Sequence, residues 1–162
     1  ANPDLIRAVS RRFGSQAMVL SVEAKQVGPS KWEAYTDNGR ERTGLDVVEW
    51  ATNGASLGAG EIFVTSVDQE GTKKGFDCQL MAEITRNVDI PVIASGGFGQ
   101  LEHLKELLSS SAPTGVAIAD SLHYKRFTFA QIRDFCASNG IATRTQRLSK
   151  SGKQLMTETA RS

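Results

Sequence analysis

A glycine turn carries the clearest chemical signal in this sequence. Ser95-Gly96-Gly97 follows a short apolar run, Pro91 to Ala94, and precedes a segment with leucines at helical spacing. Such an apolar run is typical of a buried parallel strand. Two glycines between a strand and a helix let backbone N–H groups approach a ligand closely, and the helix adds the positive end of its dipole. The pattern predicts a phosphate site; the alternative is that the glycines only turn the chain.

Other polar features also stand where predicted strands end. They are Glu23 at the end of Ala17–Ala24, the charged loop Asp68–Gly75 after Glu61–Val67, and Asp120-Ser121 after Gly115–Ala119. Because the carboxyl ends of parallel strands meet at one edge of a sheet, and α/β proteins bind ligands there, we expect these features to lie together. For Glu23 the alternative is a surface ion pair with Lys25.

The composition is that of an ordinary globular domain. The chain has 162 residues, of which 40% are hydrophobic and 23% charged, with a net charge of +1. This balance predicts neither nucleic acid nor a membrane as a partner. No apolar run is long enough to span a bilayer, and no signal-peptide pattern is visible. Two distant cysteines and two histidines predict neither a disulfide framework nor a metal site. We expect a cytoplasmic protein without a metal or cofactor.

Helical and strand patterns alternate along the chain. Asn2 and Pro3 predict the start of a helix and Gly14 predicts its end. Four strand–helix units follow, which predicts an α/β fold with a parallel sheet and right-handed crossovers. The last predicted helix starts at Thr128 and stops at Asn139-Gly140.

Two segments fall outside this alternation. Lys31–Thr36 predicts one arm of a small hairpin whose turn is Asp37-Asn38-Gly39, and Thr43 is predicted to cap the next helix. The basic, polar end of the chain predicts a flexible tail. We therefore expect a domain over residues 1–144 and a tail over 145–162.

Several motifs make the chain resemble a known family. The motifs are Asn2-Pro3, Arg12-Phe13-Gly14-Ser15-Gln16, Gly44-Leu45-Asp46, Glu49-Trp50, Leu57-Gly58-Ala59-Gly60-Glu61-Ile62, Thr65-Ser66-Val67-Asp68, Gly71-Thr72, Gly75, Ile90-Pro91-Val92-Ile93-Ala94-Ser95-Gly96-Gly97 and Leu122-His123-Tyr124. Together they resemble the C-terminal half of the cyclase subunit of imidazole glycerol phosphate synthase, a (β/α)₈ barrel. The resemblance covers Ala1 to about Arg144.

The resemblance implies an ammonia-dependent reaction that forms imidazole glycerol phosphate for histidine biosynthesis. It implies a glutaminase subunit that supplies the ammonia, and a phosphorylated sugar or ribonucleotide, or inorganic phosphate, as ligand. A paralogous branch, the glycosyl amidation-associated proteins, implies surface-sugar modification instead. By the same resemblance, Glu23 occupies a catalytic acid position. The implied phosphate- and substrate-binding residues are Thr65, Ser66, Glu70, Gly71, Ser95, Gly96, Gly97, Ala119, Asp120 and Ser121.

Three positions depart from the family pattern. Glu23 stands where the family has aspartate. The loop that reads Asp-Arg-Asp-Gly-Thr in the family is Asp68-Gln69-Glu70-Gly71-Thr72 in this chain. Asp120 replaces a phosphate-binding serine, and a carboxylate beside a phosphate costs a few kcal/mol at an effective dielectric constant of about 20. The backbone N–H groups of Ala119 and Asp120 remain possible donors if the Asp120 side chain turns away. These departures resemble the glycosyl amidation-associated branch more than the histidine branch.

A complete barrel of this type needs eight strands and about 250 residues. With four parallel strands, the chain is expected to be half of a (β/α)₈ barrel that self-association completes, either as a closed symmetric dimer or as a rearranged half-barrel dimer. Two hypotheses about function follow. The first is a phosphate-binding half-barrel without full cyclase activity, and the second is an active cyclase-like subunit in which two copies of Glu23 face each other.

Overall fold

The computed structural model describes residues 2–144, so the predicted tail over 145–162 lies outside the described residues. Residues 2–129 form one compact unit, and the described residues from Ala130 to Arg144 belong to a second. The elements are α1 (Pro3–Phe13), a 3₁₀ turn (Ser15–Ala17), β1 (Val19–Gly28), β2 (Lys31–Thr36), β3 (Glu41–Asp46), α2 (Val47–Ser56), β4 (Glu61–Ser66), α3 (Cys78–Asn87), β5 (Val92–Ser95), α4 (Glu102–Ser110), β6 (Gly115–Ala117), α5 (Asp120–His123) and α6 (Phe129–Ser138). No helix among the described residues is long and apolar enough to cross a membrane.

Local signals account for most element boundaries. The Asn2 side chain accepts the Asp4 N–H, Pro3 opens α1, and Gly14 ends it with a φ of +88°, as predicted. The prediction that Thr43 caps the next helix is wrong. Thr43 lies in β3, where its hydroxyl donates to the Ala34 carbonyl at 2.6 Å, and Asp46 caps α2 instead. The reason is that residues 41–46 pair with β2 before the helix can start.

The six strands form one mostly parallel sheet in the order β3-β2-β1-β4-β5-β6. The strands β1, β4, β5 and β6 run parallel, which confirms the predicted α/β fold. The hairpin β2–β3 is also confirmed, and it extends the sheet antiparallel to β1. Its turn residues Asp37, Asn38 and Gly39 all have positive φ, a conformation that Asn, Asp and Gly tolerate best.

Helices of the first unit, α2 and α3, pack on one face of this sheet. Leu20 and Val22 of β1, Ile62 and Val64 of β4, and Val92 of β5 point to that face and are each at most 7% exposed. Residues that alternate with them face the other side and remain half-buried or exposed. Because successive side chains of a strand point to opposite faces, this exposure means that the second face is uncovered along the four parallel strands within the described residues.

The hairpin carries a buried carboxylate with its own counter-ion. Glu33 on β2 is 7% exposed. Its carboxylate accepts hydrogen bonds from Arg42, the shortest at 2.6 Å, and from the Gly44 N–H at 2.8 Å. The hydrogen bond from Arg42 is the largest cause that holds the pKa of Glu33 below its ordinary value near 4.5, and the Gly44 N–H adds to it.

Replacing Glu33 with glutamine is expected to make stability less dependent on pH. A carboxyl group whose pKa folding lowers stabilises the protein above its unfolded pKa, and this contribution disappears as the pH falls through the folded-state pKa. Wild-type protein and E33Q should therefore differ more in melting temperature at about pH 7 than at about pH 3. Glutamine still accepts the Gly44 N–H. Thermal unfolding followed by circular dichroism measures the difference, and an equal difference at both pH values contradicts the prediction.

Candidate ligand-binding site

The carboxyl ends of the parallel strands bring polar side chains to one edge of the sheet. Glu23 lies opposite Thr65 in the register, Thr65 lies opposite Ser95, and Ser95 lies opposite Ala117. Residues paired in this way project to the same face of a sheet. That face is the uncovered one, and Glu23, Thr65 and Ser95 are each half-buried. We call these three side chains the polar row.

A cavity of about 160 Å³ opens beside the polar row, between the loops that follow β4, β5 and β6. We call it the glycine cavity. Its lining consists of Phe63, Glu70, Gly71, Ser95, Gly96, Gly97, Phe98, Ala117, Ile118, Ala119, Asp120 and Ser121. The structure thus brings together every residue predicted for phosphate or substrate binding except Thr65 and Ser66. The role of all of these residues in binding stays a prediction.

Close packing of two loops explains the glycines in this cavity. Gly96 and Gly97 have φ values of +96° and +97°, which side-chain-bearing residues rarely adopt. A Cβ atom at Gly97 would overlap the Gly75 carbonyl oxygen, and one at Gly96 would lie 2.8 Å from the Ser66 carbonyl oxygen. The Gly75 N–H donates to the Gly97 carbonyl at 2.9 Å. The loop after β4 therefore packs directly on the glycine turn, without side chains in between.

Several backbone N–H groups in the lining of the glycine cavity, those of Gly97 and Ala119 among them, have no hydrogen-bond partner within the described residues. Among residues 2–144, neither the Gly97 N–H nor the Ala119 N–H donates a hydrogen bond. Gly97 is buried, and buried backbone N–H groups almost always have a partner. The Gly97 N–H is therefore free to donate to an acceptor that enters the cavity, and the exposed Ala119 N–H lies in the same lining.

Two acidic side chains also line the glycine cavity. Glu70 follows β4, and Asp120 opens α5. The Asp120 carboxylate forms an ion pair with Arg126. Sequence reasoning missed Arg126, because it lies beyond the last strand and belongs to no motif. A possible signal was the presence of a basic residue a few positions after an unexpected acid.

Glu23 faces a second, wider cavity of about 520 Å³, which we call the acid cavity. Its lining consists of Glu23, Asn38, Thr65, Val67, Glu70 and Ser95. The Glu23 carboxylate accepts the Gly39 N–H at 2.8 Å, so the tip of the hairpin holds it. No Glu23–Lys25 ion pair forms in the described structure, and Lys25 lies over the Tyr35 ring instead. Asn38 is a further cavity residue that sequence reasoning treated only as part of a turn.

Ser66 is the predicted site residue that the structure places elsewhere. It follows Thr65 directly and is paired with Ala24, so its side chain points to the helix-covered face. It is fully buried, and its hydroxyl has no hydrogen-bond partner within the described structure. Thr65 and Ser66 therefore cannot both present their side chains to a ligand at the rim.

Replacing Ser66 with alanine is expected to leave the free energy of unfolding unchanged or to raise it by about 1 kcal/mol, because a buried hydroxyl without a partner is costly. Ser121 offers a matched control, since it is equally buried but donates to the Phe98 carbonyl at 3.4 Å. S121A should lower the free energy of unfolding by up to about 1 kcal/mol. Urea unfolding measures both changes. Destabilisation by S66A beyond that of S121A contradicts the placement.

His103 and His123 both differ from what their places in the sequence predict. A helical position next to Glu102 predicts a solvated His103, but the residue is 8% exposed. Its Nδ1 accepts the N–H groups of Gly99 at 3.2 Å and Gln100 at 3.3 Å, so the ring reaches back to the chain that precedes its own helix. The position of His123 and Tyr124 beyond the last strand predicts packing residues, but both are exposed, and their rings contact each other. The described residues contain no group of side chains arranged to hold a metal ion.

Comparison with known proteins gives two findings. A family model described as histidine biosynthesis protein matches residues 1–128. The imidazole glycerol phosphate synthase subunit HisF of Legionella pneumophila is 61% identical over 101 residues, which are 62% of this chain and 48% of that relative. The chain therefore spans about half the length of the curated relative it matches.

Proposed function

Because the chain belongs to the family of histidine biosynthesis proteins, we propose that it is a phosphate-binding part of a (β/α) barrel related to the cyclase subunit of imidazole glycerol phosphate synthase. The ligand class is a phosphorylated sugar or ribonucleotide, or inorganic phosphate. The observation that supports this is that backbone N–H groups in the lining of one small cavity, those of Gly97 and Ala119 among them, have no partner within the described residues. Backbone N–H groups without a protein partner at the end of a strand are a common way to hold a phosphate.

Nuclear magnetic resonance of ¹⁵N-labelled protein tests this proposal directly. Titration with ribose 5-phosphate and with inorganic phosphate should shift the Gly97 and Ala119 amide resonances, because each N–H gains an acceptor. Unphosphorylated ribose is the matched control and should leave them unchanged. Equal shifts with ribose, or no shift with either phosphate compound, contradict the proposal.

An active cyclase-like subunit is the second candidate, and the placement of Glu23 favours it. The carboxylate lies at the end of β1, lines the acid cavity and is held by the Gly39 N–H. A carboxylate in this position can move protons, and such groups contribute about 100-fold or more to rates. In this candidate function a glutaminase subunit supplies ammonia, either for histidine biosynthesis or for surface-sugar amidation.

Turnover separates the two candidates. Formation of imidazole glycerol phosphate from its precursor and ammonia, reduced about 100-fold by E23Q, would support the active subunit. Thr65→Ser, which keeps a hydroxyl in the polar row, is a control that should retain most of the turnover. An absence of turnover by wild-type protein supports the binding function without full activity.

The uncovered sheet face supports self-association as a further part of the proposal. Val19 on this face is 46% exposed, and Phe63 and Ile93 are half-buried. A second copy that packs its own face here would bury these side chains and give twofold symmetry.

Size-exclusion chromatography with light scattering should give a dimer at micromolar concentration. Val19→Asp should shift the protein toward monomer. Val27→Asp should not, because Val27 is similarly exposed but lies beyond the part of β1 that pairs with β4. A wild-type monomer contradicts self-association.

A further inference from the structure

The glycine cavity is proposed to bind an anion although two carboxylates line it. Glu70 and Asp120 both contribute to its lining. Like charges a few ångströms apart repel strongly where solvent is partly excluded. If the cavity binds phosphate, as proposed above, a positive group must offset the negative charge of its lining.

The chain after α5 places Arg126 against one of these acids. Lys125 has a φ of +53°, which turns the chain back at the end of the helix. The Arg126 N–H then donates to the Ser121 carbonyl at 2.9 Å. This turn carries the Arg126 side chain back to the start of the helix, where its guanidinium pairs with the Asp120 carboxylate.

An aromatic ring keeps the guanidinium in place. The Tyr124 ring centroid lies 5.2 Å from the central guanidinium carbon of Arg126, a distance typical of a cation–π contact. The Asp120 and Arg126 side chains remain 31% and 34% exposed. An ion pair at this level of exposure contributes little to folding stability. The ion pair instead lowers the negative charge that an anion meets when it enters the cavity.

We propose that Arg126 is a specificity-determining residue of the glycine cavity, because it neutralises Asp120 and so allows the cavity to accept a phosphate group. Arg126 itself does not line the cavity. It acts through Asp120, which stands where the resembled family has a serine. The Asp120–Arg126 pair thus offsets the departure that most disfavours phosphate binding in this chain.

Isothermal titration calorimetry with inorganic phosphate tests the proposal. Arg126→Met should weaken binding about tenfold, because Asp120 is then left as an uncompensated charge beside the anion. The double variant D120N/R126M should bind within about threefold of wild type, because neither charge remains. Asp120→Asn alone should bind at least as tightly as wild type. Arg126→Lys keeps the positive charge and should stay close to wild type. Melting temperatures of all variants should change little.

Three outcomes would overturn the proposal. If R126M binds phosphate as wild type does, the charge on Asp120 does not matter. If R126M and D120N/R126M bind phosphate equally weakly, Arg126 does not act through Asp120. If neither wild-type protein nor D120N binds phosphate, the phosphate-binding function itself falls, which distinguishes that failure from the first two.

Discussion

Replacing Gly97 with alanine is expected to lower the free energy of unfolding by about 3 kcal/mol and to abolish phosphate binding. The positive φ of Gly97 costs a side-chain-bearing residue about 1–2 kcal/mol. The new Cβ atom would also overlap the Gly75 carbonyl oxygen, and overpacking of this kind costs about 1–3 kcal/mol. Differential scanning calorimetry should show a melting temperature lower by about 10 °C.

Gly44 provides the matched control for this prediction. Its φ of +74° is also positive, but no atom lies within 4 Å of a Cβ built there, and the residue is on β3, away from the glycine cavity. G44A should therefore cost only about 1 kcal/mol and leave phosphate binding intact. Equal losses of stability in G97A and G44A would show that contact between the loops does not restrict the glycine turn.

Replacing Asp77 with alanine is expected to lower the free energy of unfolding by about 3 kcal/mol. One carboxylate oxygen caps α3 by accepting the Leu80 N–H at 3.0 Å, and a cap contributes about 1 kcal/mol. The other accepts the indole N–H of Trp32 at 2.9 Å. Trp32 is 2% exposed, so the variant leaves a buried donor without a partner, at a cost of about 1–3 kcal/mol. Guanidinium unfolding followed by tryptophan fluorescence measures the loss.

Asp46 provides the control, because it caps α2 but bonds no buried side chain. D46A should cost about 1 kcal/mol. Trp32→Phe removes the indole N–H, so D77A in that background should cost about as much as D46A. If D77A destabilises wild-type protein no more than D46A does, the hydrogen bond between the hairpin and α3 contributes nothing.

Much of the fold was predictable because its signals are local. The Asn2-Pro3 start and the Gly14 end of α1 depend on residues within one turn of the helix. The Asp37-Asn38-Gly39 turn depends on backbone preferences of three neighbouring residues. The parallel sheet followed from the alternation of strand and helix patterns, and it is confirmed. The Thr43 cap failed because pairing of β3 with β2 overrode a local preference for a helix start.

The candidate site was predictable only as a set of loops. Family motifs and the ends of strands identified most of the residues that line the glycine cavity, but not Phe63, Phe98, Ala117 and Ile118. Strand periodicity already implies that Thr65 and Ser66 point to opposite faces, but only the pairing with β1 and β5 decides which of them faces the rim. The burial of His103 depends on its reach back to Gly99 and Gln100, which the pattern of apolar residues does not reveal.

By itself, the sequence determined the class of fold, the order of its elements and the glycine turn at Ser95-Gly96-Gly97, because each rests on interactions between near neighbours in the chain. Only the tertiary structure decided that Gly75 packs on Gly97 and that the hairpin tip holds Glu23. It also decided that Arg126 turns back to Asp120. These contacts depend on how separate loops meet at one edge of the sheet. That meeting is set by strand register and chain reversal, which local propensities do not specify.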